Sequence, residues 1–403
     1  MQSTRLPLSG IRVLEFSHAV MGPTSGLILA DLGAEVIKVE GYPDGDSTRR
    51  LSGFGSGFFT FFNRNKQSIA LDLNTQQGED VIYHMLPRID VIIENYAPGS
   101  MESFGLGYKT LQPINPRLIY CGLKGFLTGP YENRMALDEV VQMMTGLAYM
   151  TGGKKSPTRA GASIIDILSG SFGVISVLAA LHEREVTGKG QKVQVGLFET
   201  GAFLMGQHMT YAALHGTPIP SMSERVSSWG IYDLFTILNG ELFFVGVTSN
   251  SQWERFCRVF DRPDLYADPR LRNNEDRVCS RAWMIPQIQE TLAHLSKSEL
   301  IKKCDLAQLP FAPVGTPEDL FSDPQMVEGH NLLRVSLPNG ETCNLPTLPI
   351  EMRGQKASLR HQPPLFGEDT KSVLDEFGLE LKLGKDSPTK DCQQNESLFG
   401  KEE

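Results

Sequence analysis

The chain has 403 residues, 40% of them hydrophobic and 21% charged, enough to bury a large core and to divide into two domains. A formal net charge of -9 at pH 7, with basic runs no longer than two, excludes the basic face that a nucleic-acid partner requires. The cysteines (121, 257, 279, 304, 343 and 392) stand singly, with no CxxC pair and no histidine cluster, which excludes a zinc site or disulfide framework and fits reduced thiols in a cytoplasm.

The opening MQSTRLPLSG has no apolar stretch of the secretory type, so no leader is expected. Short β-branched runs then alternate with helical segments: IRVLEF (11–16), TSGLILADLG (24–33), EVIKVE (35–40), SIALDL (68–73), EDVIYHML (79–86), DVIIEN (90–95) and LIYCGL (118–123). This alternation predicts parallel βαβ units, hence an α/β, Rossmann-like large domain. Ligands of such sheets bind beyond the carboxyl ends of the strands, here followed by the Gly- and Pro-containing loops SHAVMGP, GYPDGD, NYAPG and KGFLTGP. The first loop reads MGPTSG instead of GxGxxG, and GxxxxGK[ST] is absent, so the usual markers of nicotinamide and ATP chemistry are missing. His18 in the first loop would hold a phosphate or carboxylate, or be incidental. Arg49 and Arg50 would bind an anion or remain a solvated pair.

Asp138 opens the helical run LDEVVQMMTGLAYM, a position where an acid is usually a cap. The run RAGASIIDILSG (159–170) raises a sharper question, because Asp166 is the one charged side chain between residues 161 and 181. A buried carboxylate costs several kcal/mol unless it is hydrogen-bonded, paired or set at a helix N-terminus. The segment is long enough to span a membrane, but its Gly, Ser and Asp residues favour a buried helix. If that helix starts near Ser163, Asp166 lies in its first turn, where the dipole favours the ionised form by roughly 0.3–1 kcal/mol. With a reference pKa of about 3.9, such an acid attacks an acyl carbon without a general base. A helix cap or a hydrogen-bonded core acid is the other reading. The small neighbours Gly161, Ala162 and Ser163 would let a bulky substrate approach the backbone.

The helix stops near TGKGQ (187–191), and a strand KVQVGLFE follows. The expected organisation is a large domain over 1–205, a linker over 206–235, a smaller α+β domain over 236–325, a linker and return to the large domain over 326–382, and a disordered tail over 383–403. No Ser, Cys or His constellation has a nucleophile spacing, which argues against a serine or cysteine hydrolase.

Taken together, LSGIRVLEFSHAVMGP, GAEVIKVE, GDSTR, NRNKQSIALDL, ENYAPG, KGFLTGP, LDEVVQMMTG, RAGASIIDILSG, TGKGQKVQVGLFET and PPLFGEDT resemble the family III CoA-transferases, the group of formyl-CoA transferase and the carnitine and bile-acid CoA-transferases. The resemblance covers residues 8 to about 375. It implies an interlocked homodimer, with the large domain built from both ends of the chain. It implies that Asp166 is the catalytic nucleophile: the carboxylate takes the acyl group of an acyl-CoA as a mixed anhydride, then passes through an aspartyl-CoA thioester before an acceptor carboxylate receives the CoA. It places CoA beside His18, Ala19, Leu71, Asn95, Tyr96 and Ala97, with Asp138 as a second acid of the pocket. The oxyanion donors would come from a Gly-containing loop near residues 227–230 or 246–250.

The implied substrates are an acyl-CoA thioester, possibly succinyl-CoA, and a carboxylic acid, of dicarboxylic or hydroxy type. No permanent cofactor, metal, membrane or nucleic acid is expected. Val20, Gly41 and Ser103 stand where formyl-CoA transferases carry Gln, Arg and Arg, which argues against formyl or oxalate substrates and implies a different set of partners for the CoA phosphates. GEDT stands for the usual GEHT, with Asp369 in the His position. The alternatives are an α-methylacyl-CoA racemase-like enzyme, disfavoured because Leu137 occupies the place of the racemase His, and a noncatalytic CoA-binding protein.

Overall fold

The computed structural model describes residues 5–222, 224 and 227–379, so the expected tail at 383–403 lies outside the described residues. The chain forms two compact units, one containing the residues up to Thr145, Ala160–Met205 and those from Leu333 onward, the other Gly146–Arg159 and Gly206–Leu332.

The first unit is organised by six parallel strands, β1 (Arg12–Phe16), β2 (Glu35–Gly41), β3 (Lys66–Leu71), β4 (Val91–Glu94), β5 (Ile119–Lys124) and β6 (Lys192–Gly196). Their spatial order is β3-β2-β1-β4-β5-β6, so the winding reverses between β1 and β4. A reversal of this kind opens a crevice at the carboxyl ends of the two strands flanking it. The apolar residues of these strands are buried on both faces, Leu14, Phe16, Ile37, Val39, Ile69 and Ile92 on one and Val13, Val36, Val91 and Ile93 on the other, as expected of a sheet covered by crossover helices.

Two helices shape the crevice end. The first, α1 (Met21–Asp31), follows the loop after β1; the second, α4 (Ile164–Thr187), follows α2 (Gln76–Met85) and α3 (Asp138–Met144) in the chain. Ser163 precedes the first helical residue of α4, and Gly188 ends it in the left-handed conformation (φ 69°), its N–H bonded back to the Arg184 carbonyl. Ile165, Val174, Val177 and Ala180 form its buried stripe. Although α4 is long and apolar enough to cross a membrane, 44% of its most apolar window is buried inside the protein, on α1, β5 and β6.

Two glycines make that packing close. A Cβ on Gly170 would meet the Met21 carbonyl oxygen at 2.6 Å, and one on Gly173 would meet Ser25 Oγ at 2.9 Å. Ser25 Oγ donates to the Gly170 carbonyl at 2.8 Å. Since 170 lies by 21 and 173 by 25, the helices run in the same direction and both begin at the carboxyl end of the sheet.

The C-terminal return closes the β3 edge. Asp369 N–H donates to Ser68 O (2.9 Å) while its carboxylate accepts from Ser68 N–H (2.8 Å), and Thr370 Oγ1 accepts from Ala70 N–H (2.9 Å). Asp369 therefore works as an edge clamp, and burial pushes its carboxyl above the ordinary range.

The second unit carries an antiparallel sheet of β7 (Ile231–Thr236), β8 (Leu242–Val247) and β9 (Phe311–Pro313). Helices Asn250–Val259, Arg281–Ala293 and Lys297–Ala307 enclose its core of Phe235, Phe243, Trp253, Phe256, Met284 and Leu300. The stretch 206–235, expected as a linker, holds helix Gly206–His215 and most of β7. No residue of that helix is buried.

Candidate active site

At the reversal between β1 and β4, the loops leaving the two strands are tied to each other. His18 N–H donates to Asn95 Oδ1 at 3.0 Å, and Asn95 Nδ2 donates to the His18 carbonyl at 2.9 Å. This pair of bonds fixes the backbone at His18 just before Ala19, which takes a left-handed conformation (φ 63°) unusual for a residue with a side chain. The His18 ring stacks on Tyr96 (centroids 5.7 Å apart, planes at 24°), and Tyr96 meets Phe104 edge-on at 6.4 Å. Burial holds the His18 imidazole below its ordinary pKa; Asp46 opposes that shift and Lys38 adds to it. Its neutral form is therefore favoured at neutral pH.

Two adjoining hollows open here. One, of about 330 Å³, is lined by His18, Gly41, Asp72, Asn74, Tyr96 and Ala97, with Phe104 at one side. The other, of about 350 Å³, is lined by Ser17, His18, Glu40, Gly41, Asp46 and Tyr96. His18, Gly41 and Tyr96 border both, so they are parts of one crevice. Gly41 stands at the join with nothing within 4 Å of where its Cβ would be, leaving open the space an arginine side chain would fill. Below Tyr96, Glu94 is buried and accepts from Lys124 Nζ (2.6 Å) and Tyr96 N–H (3.2 Å); burial raises its carboxyl despite the lysine.

Asp166 is half-buried in the first turn of α4. Asp138, at the first residue of α3, is buried and reaches across to that turn: its Oδ2 accepts from Ile165 N–H (2.9 Å) and Asp166 N–H (3.2 Å). Ser163 makes no side-chain cap, so Asp138 supplies from another helix the acceptor that the start of α4 lacks. Gln142, one turn on in α3, donates to Asp138 Oδ1 (2.6 Å) and accepts from Ala160 N–H (2.8 Å), fixing the chain leading into α4. One turn beyond Asp166, Gly170 lies on Met21 and Thr24, which directly follow the His18 loop.

Of the residues proposed from the sequence, His18, Tyr96 and Ala97 line the crevice, Asn95 fastens its loops, and Leu71 ends the buried strand whose continuation, Asp72 and Asn74, lines it. Ala19 forms the turn into α1, and Asp138 meets Asp166 through its backbone. The anion pair proposed at Arg49 and Arg50 is committed elsewhere: Arg49 binds Glu40 (2.6 and 2.8 Å), and Arg50 binds the Asp44 carbonyl. The expected oxyanion loops are also engaged inside their own unit. Trp229, Gly230, Gly246 and Thr248 donate their N–H groups to Ser227 Oγ, Asn274 Oδ1, the Pro310 carbonyl and Gln252 Oε1. Sequence reasoning named Gly41 only as a departure from the formyl-CoA transferases and missed Asp72, Asn74 and Gln142; Asp72 and Asn74 lie in the loop after β3, which was the available signal.

A doubly wound parallel sheet, an open crevice at its reversal and a carboxylate in the first turn of an adjoining helix define an α/β protein of the class whose sheets bind ligands at the strand ends. Residues 8–370 match the sequence profile of CoA-transferase family III. The chain is 31% identical over 392 residues to the succinate--glutarate CoA-transferase of Agrobacterium fabrum, covering 94% of this chain and 97% of that protein. It is 30% identical over 387 residues to the succinyl-CoA:mesaconate CoA-transferase of Haloarcula hispanica, covering 92% and 96%. A solved CAIB/BAIF family protein from Brucella suis superposes with a TM-score of 0.80 at 30% identity, covering 93% of this chain and all of that one. The chain belongs to CoA-transferase family III and is an enzyme of that class, working on CoA thioesters.

Proposed function

We propose that this enzyme moves CoA from succinyl-CoA or a similar acyl-CoA to a dicarboxylic or hydroxy acid, with Asp166 as the nucleophile. The carboxylate of Asp166 attacks the thioester carbonyl, the C–S bond breaks, and the CoA thiolate leaves behind a mixed anhydride. The thiolate then attacks the aspartyl carbonyl of that anhydride, releasing the donor acid and forming an aspartyl-CoA thioester. The acceptor carboxylate attacks this thioester, expelling the thiolate again, and the thiolate takes the acceptor acyl group and frees Asp166. One thioester replaces another, so the sequence needs no ATP and no permanent cofactor. His18, Ala19, Leu71, Asn95, Tyr96 and Ala97 belong to the CoA side, where the Tyr96 and Phe104 rings offer apolar contact to a purine and Asp72 offers an acceptor.

The observation that carries this reading is the start of α4: a half-buried acid in a first turn whose N–H groups are held by a second acid, one helical turn from the residues that follow the His18 loop. The relatives acting on succinate, glutarate and mesaconate favour a dicarboxylate acceptor. The neutral leaning of His18 favours hydrogen bonding over charge pairing at the crevice. A homodimer in the cytoplasm completes the proposal. Incubation with succinyl-CoA and a panel of dicarboxylic and hydroxy acids is expected to give ATP-independent CoA exchange that Asp166→Ala abolishes. Undiminished exchange in the variant contradicts the assignment.

A further inference from the structure

Strand β2, between β3 and β1, carries a lysine in its interior. Lys38 is completely buried, between Ile37 and Val39 of the core. Its ammonium group donates to the Ser17 carbonyl (2.7 Å) and to Glu15 Oε1 (3.3 Å) and forms an ion pair with Asp46 Oδ2 (3.0 Å). Burial works against its charge, but Glu15 and Asp46 outweigh that penalty and hold its pKa above the ordinary lysine value.

Ser17 and Asp46 both line the second hollow. Ser17 belongs to the loop after β1, directly before His18, and Asp46 to the loop after β2. Asp46 in turn shapes its own loop by accepting from Thr48 N–H (2.9 Å) and Thr48 Oγ1 (2.7 Å), while its N–H donates to Glu40 Oε2 (2.9 Å). Glu40 is anchored by Arg49 and by Ser68 Oγ (2.6 Å), and the Arg49 guanidinium lies 3.5 Å above the Phe59 ring.

A second buried lysine supplies an internal contrast. Lys66 binds Glu15 Oε2 (2.8 Å), Asn63 Oδ1 (2.9 Å) and the Pro23 carbonyl (3.0 Å), and lines neither hollow. Both lysines neutralise Glu15, but only Lys38 bridges two crevice loops.

We propose that Lys38 is a positioning residue for acyl-CoA: by bridging the Ser17 carbonyl and the Asp46 carboxylate, it sets the spacing of the two loops between which the substrate's CoA portion enters. This rests on the reading of the crevice as the CoA site. Removing one partner of a buried ion pair leaves an uncompensated charge, so the loops would separate or admit water. Lys38 touches no reacting atom, and its loss acts on substrate binding ahead of the acyl-transfer steps.

The test compares Asp46→Asn, Lys38→Met, Lys66→Met and Gly41→Phe, reading KM and kcat for acyl-CoA, Tm, and calorimetric binding of free CoA. Asp46→Asn keeps an oxygen for Thr48 while removing the charge facing Lys38, so it carries the test even if Lys38→Met fails to fold. Expected are a rise of about tenfold in acyl-CoA KM for Asp46→Asn and Lys38→Met with kcat within about threefold, and for Lys66→Met a lower Tm with KM within about twofold. Wild-type KM in Asp46→Asn, or an equal KM rise in Lys66→Met, overturns the positioning role. Gly41→Phe separates the two readings: if it blocks CoA binding while Asp46→Asn binds CoA as tightly as wild type, Lys38 loses its role and the crevice keeps its ligand. If Gly41→Phe binds CoA as wild type does, the crevice reading falls and the proposal with it.

Discussion

The crevice at the strand ends and the acidic start of α4, the two parts of the proposed site, are held in place by opposite means. In the crevice the polar framework is distributed: the Asn95 clasp, the Lys38 bridge and the Glu40–Arg49 pair each fix a different loop, and the lining itself is a mixture of aromatic rings, glycine and acceptors. At the start of α4 the framework is concentrated in one carboxylate, Asp138, on which two N–H groups and Gln142 converge. A distributed framework loses affinity gradually when one part is removed. A concentrated one loses position all at once.

The largest expected effect belongs to Asp166→Asn. It preserves shape but removes the proposed nucleophile, and it should lower exchange by about 10⁴-fold with little change in Tm. Next is Asp138→Ala, which strips the acceptor from Ile165 and Asp166 and from Gln142 Nε2. Chemical denaturation should show a loss of about 1–3 kcal/mol, and steady-state kinetics a fall in kcat of about 10–100-fold with KM nearly kept. If KM rises instead while kcat holds, Asp138 belongs with the crevice and the contrast between the regions dissolves. Gly41→Phe should act in the reverse sense, raising acyl-CoA KM about tenfold or more by filling the join between the hollows while kcat at saturation changes little.

The smallest effect is on pH dependence. The folded pKa of His18 lies below its reference of about 6.5. The unfolded chain therefore binds the proton first, and this contribution to stability is present above that reference and lost as pH falls through the lower folded value. Thermal melts of His18→Gln should fall less steeply than wild type as pH drops through the window between the lowered folded value and that reference, and match its slope above the window. Identical acid slopes would mean that the ring is not held neutral by its surroundings.

Much of this was legible in the sequence. The strands and first helix fall within a few residues of IRVLEF, TSGLILADLG, EVIKVE and the runs that follow, because a buried parallel sheet imposes near-continuous apolar runs and the loops interrupt them with Gly and Pro. The limits of α4 were readable from Ser163 and Gly188 for the same local reason. What could not be read is long-range polar pairing. The reach of Asp138 to Asp166 spans 28 residues, and Asp369 meets Ser68 across 301. No local periodicity records such bonds. Lys38 and Glu40 inside EVIKVE were a visible anomaly, charges in a strand whose neighbours demand burial, but only the fold supplies Glu15, Asp46 and Arg49 as their partners. Gly230 was readable as a loop glycine, yet a Cβ there would crowd the buried Arg277 side chain, so packing explains it better than an oxyanion role does.

The central claim is that the Asp166 carboxyl becomes an acyl carrier during turnover. Enzyme mixed with succinyl-CoA, quenched with hydroxylamine, digested and analysed by mass spectrometry should contain the peptide spanning Gly161–Gly170 with a hydroxamate on Asp166, and CoA-free controls should lack it. An unmodified Asp166 peptide under conditions of measurable exchange, with the hydroxamate on another carboxylate or on none, would contradict the account.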